Sequence, residues 1–185
     1  MTDVDDGAGK ARVARLSRHP ADALIRELLR VGRQATPEQV ARIVERLATA
    51  PFEPRQRTVR PAERGITYQG RVLGEREDSL FHHLIKRILV DEQWGYGTTA
   101  SDYLADLRRA VRSPAARLAL YRQRGGHVAA TVTSTAEVVP PERQGPQALP
   151  NLLAIYSADR GIIVTGYQCS ALDQTRIPET ALWLG

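Results

Sequence analysis

The feature that most constrains this chain is a change of hydrophobic period near residue 113. Before it, apolar residues recur at helical spacing; after it, they alternate. Leu24, Ile25, Leu28 and Leu29 form one stripe, and Val40, Ile43, Val44 and Leu47 a second. Leu80, Phe81, Leu84, Ile85, Ile88 and Leu89 form a third, and Tyr103, Leu104, Leu107 and Val111 a fourth. Segments 117–123 and 127–138 then alternate about Gly125-Gly126, a hairpin signal. Segments 152–157 and 161–168 make a second hairpin around Asp159-Arg160-Gly161. N-terminal helices followed by roughly four antiparallel strands in two hairpins predict an α+β fold. No βαβ alternation, GxGxxG or P-loop is present, so the common nucleotide-binding α/β folds are set aside.

Local signals fix the boundaries. His19-Pro20 opens a helix that Gly32 stops, with His19 at the surface. Thr36-Pro37-Glu38-Gln39 spells an N-cap, a first-turn proline and a capping box. Thr99 with Asp102 starts the helix over 100–112, and Ser113-Pro114 ends it. Residues 1–18 are polar and read as a flexible tail. Residues 19–50 form a helical hairpin too short for its own core, which must lean on the remainder or on a partner. Across residues 51–76, Pro51, Pro54, Pro61, Gly65, Gly70 and Gly74 interrupt a stretch containing Arg55, Arg57, Arg60, Arg64, Arg71 and Arg76. That stretch reads as a linker, or as a basic arm along a phosphate backbone, with a short strand at 66–69. Residues 76–185 make up the α+β domain.

Composition narrows the partners. The net charge is +5, and apart from Lys10 and Lys86 all 26 basic residues are arginine, the side chain best shaped for bidentate phosphate contacts. A basic domain is predisposed to polyanions. The lone cysteine, Cys169, excludes an internal disulfide framework and reads as a small buried residue. No apolar run approaches the roughly 20 residues of a membrane span. The acidic opening, Met-Thr-Asp-Val-Asp-Asp-Gly, is unlike a secretory signal, so a cytoplasmic protein, in its own or a target cell, is expected. Four histidines without ligand spacing predict no metal site and no cofactor.

Residues 79–103 concentrate the chemistry. His82, His83, Lys86 and Arg87 fall off the apolar stripe of their helix, and both histidines lie within three or four residues of Lys86. RNA can be cut without metal when its 2′-OH attacks the adjacent phosphate. That reaction needs proton transfer, for which histidine is suited, and a cation on the phosphoryl oxygens. The last strand supplies Thr165 and Tyr167 on one face, shared with Ile163 by period two. Arg122, Arg124 and His127 on the first hairpin are further candidates for substrate contact. Trp94, Tyr96 and Tyr103 read as core and turn packing.

The run His83-Leu-Ile-Lys86-Arg87, then Trp94-Gly, then Thr99-Ala-Ser-Asp-Tyr103, then two hairpins ending in Gly161-Ile-Ile-Val-Thr165, resembles bacterial toxin nucleases of the barnase–EndoU–colicin–RelE superfamily. Those domains carry a helix with His-x-x-Lys-His, a Thr/Ser-capped helix, and a final strand with Gly-x-x-x-Thr. The resemblance spans about residues 78–168. It implies a four-stranded antiparallel sheet packed on helices, and metal-independent cleavage of RNA, often tRNA. It also implies a toxin neutralised by a dedicated immunity or antitoxin protein. His83 and Lys86 match the helix motif and Thr165 the strand motif. Arg87 stands where a second histidine is frequent, with His82 as its substitute. The rival readings are a nucleic-acid-binding or protein-interaction domain on the same scaffold, without catalysis.

Overall fold

In the computed structural model, residues 16–171 and 177–184 are described. Helices α1 (Pro20–Val31) and α2 (Pro37–Thr49) are followed by four short strands, β1 (Gln56–Thr58), β2 (Thr67–Tyr68), β3 (Arg71–Val72) and β4 (Arg76–Asp78). Helix α3 (Ser79–Ile85) runs on into a π turn over Lys86–Val90, and α4 (Ala100–Arg112) follows. The sheet then forms from β5 (Arg117–Gln123), β6 (Gly126–Ser134), β7 (Asn151–Ser157), β8 (Ile162–Cys169) and β9 (Leu182–Leu184), with a short helix α5 (Thr135–Val138) after β6. The order across the sheet is β8-β7-β6-β5-β9, antiparallel throughout.

The fold is α+β, helices before sheet, as the change of period predicts. Both capping boxes form: Thr36 accepts from Gln39 N, and Thr99 from Asp102 N. Two expectations need correction. The sheet has five strands, because Leu182–Leu184 pairs with β5. Three residues are too few to display a period. The stretch 51–75 is no solvated linker. Its strands pair as β2–β3 and as β1 with β4 just beyond it, and the stretch inserts Val59, Tyr68 and Leu73 into the main core. The glycines serve turns there: Gly65 and Gly70 adopt φ of 81° and 76°, which any other residue adopts at a cost.

One face of the sheet packs on the helices. Leu118, Leu120, Ala129, Leu152, Ala154, Tyr156 and Ile163 join Ile25, Leu28, Ile43, Leu47 and Leu107 in a single cluster. Residues 16–18, expected in the tail, are partly tied down: Ser17 N donates to Asp159 O at 2.6 Å. Residues 1–15 lie outside the described part of the chain. The helical hairpin leans on the sheet as expected, through a buried polar anchor. Asp22, fully buried on α1, accepts from Tyr156 Oη of β7 and from Ser17 Oγ, and pairs with Arg46 of α2. Among the described residues, no helix is long and apolar enough to cross a membrane.

The outer edge of β8 positions the site. An edge strand leaves backbone groups unpaired, and buried ones need partners. Ile163 exchanges hydrogen bonds with Pro51 O and Glu53 N. The hydroxyl of Tyr103 accepts from Gly166 N and donates to Gly166 O. Gln93 completes the edge with its side-chain amide, donating to Gln168 O and accepting from Gln168 N, both at 2.9 Å. Gly166 lets α4 approach: a Cβ there would lie 2.1 Å from Leu107 Cδ2. The helix bearing His83 is thus seated against the strand bearing Thr165.

Candidate active site

Asp78 caps α3 by accepting from Phe81 N at 2.8 Å. Phe81, Leu84 and Ile85 face the core, which leaves His83 toward β8. The helix then widens into the π turn, a feature often found at functional sites. Arg87, inside that turn, reaches across to the strand: its Nε donates to Gly166 O at 2.9 Å. It also pairs with Asp91, and its guanidinium lies 5.3 Å from the centre of the Tyr167 ring.

His83 Nδ1 lies 3.2 Å from Thr165 Oγ1, and Arg87 Nη2 lies 3.5 Å from the same oxygen. These groups open onto a cleft of about 360 Å³ lined by Arg57, His83, Lys86, Arg87 and Thr165 on one side. Tyr121, Gln123, Ile155, Val164 and Tyr167 complete it. Three of the lining residues are cations and none is a carboxylate. Lys86 and Arg57 are exposed, whereas Arg87 is buried and engaged. The first two therefore supply the charge open to a ligand, and Arg87 fixes the strand and the hydroxyl.

Burial, and next the Arg87 guanidinium, push the His83 imidazole down to about 3. At neutral pH the ring is therefore uncharged, with an open lone pair of low proton affinity. Its two nitrogens differ: Nδ1 meets Thr165, while Nε2 is buried without a hydrogen-bond partner. The ring edge packs against Phe52, with centroids 5.7 Å apart. Any proton taken from a ligand must therefore pass to Nδ1, on the Thr165 side.

Of the candidates read from the sequence, His83, Lys86, Arg87, Thr165 and Tyr167 come together around this cleft. The others do not. His82 is half-buried beside His83, with ring centroids 5.8 Å apart, yet it does not line the cleft. Burial lowers its proton affinity, and Glu63 partly offsets this. Arg122 pairs across the hairpin with His127, so strand alternation turns both to the face opposite Tyr121 and Gln123. His127 is bound instead by Asp159, ring and backbone both at 2.9 Å. Arg124 is exposed in the turn, at φ 50°.

Trp94 and Tyr103 are core residues and Tyr96 packs in the turn, as expected; Tyr96 is 63% exposed, with its ring edge-on to Tyr68. Besides the apolar Ile155 and Val164, three lining residues were not singled out by the sequence: Arg57, Tyr121 and Gln123. Arg57 was one arginine among many in an apparent linker. Tyr121 and Gln123 carried a usable signal, since they alternate with the conspicuous Arg122 and must share the other face.

Compared with known proteins, the chain matches no family model, no curated protein and no solved structure.

Proposed function

We propose that this protein is a metal-independent RNA endonuclease of the toxin type, acting at the cleft between α3 and β8. The observation that carries the reading is the convergence, at one cleft, of an uncharged imidazole and a hydroxyl, 82 residues apart in sequence at His83 and Thr165, with exposed cations beside them. A scissile phosphate fits between Lys86, Arg57 and the Thr165 hydroxyl. The 2′-oxygen, taking the place of the Thr165 contact, gives its proton to His83 Nδ1 and attacks phosphorus. The bond to the 5′-oxygen breaks, and that oxygen takes a proton from solvent at the open mouth. The products are a 2′,3′-cyclic phosphate and a 5′-hydroxyl. Lys86 and Arg57 stabilise the charge that gathers on the phosphoryl oxygens. A bound phosphate opposes the repulsion from Arg87 and raises the proton affinity of His83, which helps the imidazole hold the transferred proton.

The test is cleavage of total RNA in excess EDTA by the wild type, His83→Ala and Lys86→Ala. The reading expects cleavage by the wild type and a loss of about 100-fold or more in His83→Ala, with Lys86→Ala also impaired. Intact RNA with the wild type overturns it. A toxin-type role further expects growth arrest on expression, relieved by a dedicated inhibitor protein.

One observation favours a second reading, a module that grips RNA without cutting it. Nε2 is sealed and Nδ1 already engaged, which suits an imidazole that holds Thr165 in place. Binding that Lys86→Ala weakens, without cleavage by the wild type, is its signature.

A further inference from the structure

The cleft is larger and more varied than a phosphate requires. Thr165 and Tyr167 stand on β8 and Tyr121 and Gln123 on β5, with Ile155 of β7 between them. β8 and β5 are separated by three strand spacings of about 4.8 Å each along the sheet. All the cleft's cations lie at the end where α3 and β1 meet β8. The β5 end offers instead a buried tyrosine ring and a half-exposed amide. A phosphate held by Lys86 and Arg57 leaves that end unfilled.

We infer that the β5 end is a nucleobase subsite: the cleft takes one nucleotide of single-stranded RNA, its base set against Tyr121 and Tyr167 and its edge read by Gln123. This rests on the ribonuclease reading for its substrate class, and it adds base selection to it. Single-stranded RNA presents unstacked bases that aromatic rings and side-chain amides recognise together. An amide offers a donor and an acceptor side by side, so it discriminates between bases by the pattern of their edges. Ile155 supplies apolar contact on the strand between, and the volume of about 360 Å³ lies within the range of small-ligand sites. Gln123 is thus assigned as a specificity residue, in contrast to Lys86, which touches only the phosphate common to every nucleotide.

The test has two arms. In the first, cleavage ends from a randomised RNA pool are counted for wild type, Gln123→Ala and Lys86→Ala. The inference expects an uneven base distribution beside the cut for the wild type, flattened about tenfold or more in Gln123→Ala. Lys86→Ala slows cutting at all sites with the distribution unchanged. In the second arm, the four 3′-mononucleotides are titrated against the intact protein and followed by calorimetry. Unequal affinities that Gln123→Ala equalises support the subsite even where no RNA is cut, so failure of the nuclease reading is separable from failure of this one. Equal affinities with the wild type, or a wild-type preference that Gln123→Ala leaves intact, overturn it.

Discussion

At the scale of single residues, His83 stands in an environment far from water. Its proton affinity corresponds to a pKa of about 3, against 6.5 for the free side chain. The unfolded chain therefore binds a proton at this position more readily than the folded one between those values. Stability is present in full above about pH 6.5 and falls as pH drops toward 3. Between pH 7 and pH 4 this amounts to about 2–3 kcal/mol. His83→Asn, which cannot titrate, is expected to lose less stability over that interval in urea denaturation. Equal losses in the two proteins contradict the assignment of a buried, uncharged ring. The identity of His83 as a candidate was legible in the sequence, because it stood off an apolar stripe beside the rare Lys86. The packing of its ring was not, since Phe52 reaches it only through pairing with β8.

At the scale of elements, the site depends on how the edge of β8 is closed. The π turn, the loop after it and α4 attach to that edge through side chains that bond its backbone, those of Arg87, Gln93 and Tyr103. Gln93 is the clearest case, buried and bonded to both backbone groups of Gln168. Gln93→Leu keeps the bulk but strands a buried N–H and C=O, at a cost of about 1–3 kcal/mol. Chemical denaturation is the check, and an unchanged midpoint contradicts the role. The periods in the sequence identified the first four helices and four of the five strands of the main sheet, since long elements show their buried face directly. The strand expected over 127–138 instead ends at Ser134, and Thr135–Val138 turns into α5. The edge contacts were illegible because a glutamine acting as a strand has no periodic signature. The short ladders of 51–75 were hidden for a related reason: with two or three residues per strand, the prolines and glycines of their turns dominate the pattern.

At the scale of the whole molecule, the N-terminal hairpin and the sheet form a single structural unit. Asp22 joins α1 to β7, Arg46 of α2 donates to Gly161 O at 2.9 Å, and Arg26 donates to Ala158 O at 2.8 Å. Removing residues 1–50 uncovers the part of the sheet that α1 packs on, over β5 and β6, together with the side of α4 that α2 covers. The fragment 51–185 is therefore expected to lack a cooperative thermal transition, and a sharp transition from it contradicts this unity. The change of period anticipated helices layered against a sheet. It could not show that an apparent linker would be the piece that brings Arg57 to the cleft.

The central claim is that an imidazole at the α3–β8 junction draws the proton from a ribose hydroxyl while neighbouring cations hold the phosphate. The chemistry of the cut ends tests it most directly. RNA incubated with the wild-type protein in EDTA is predicted to yield 2′,3′-cyclic phosphate and 5′-hydroxyl termini. Termini bearing a 5′-phosphate and a 3′-hydroxyl, or no new termini at all, would contradict it.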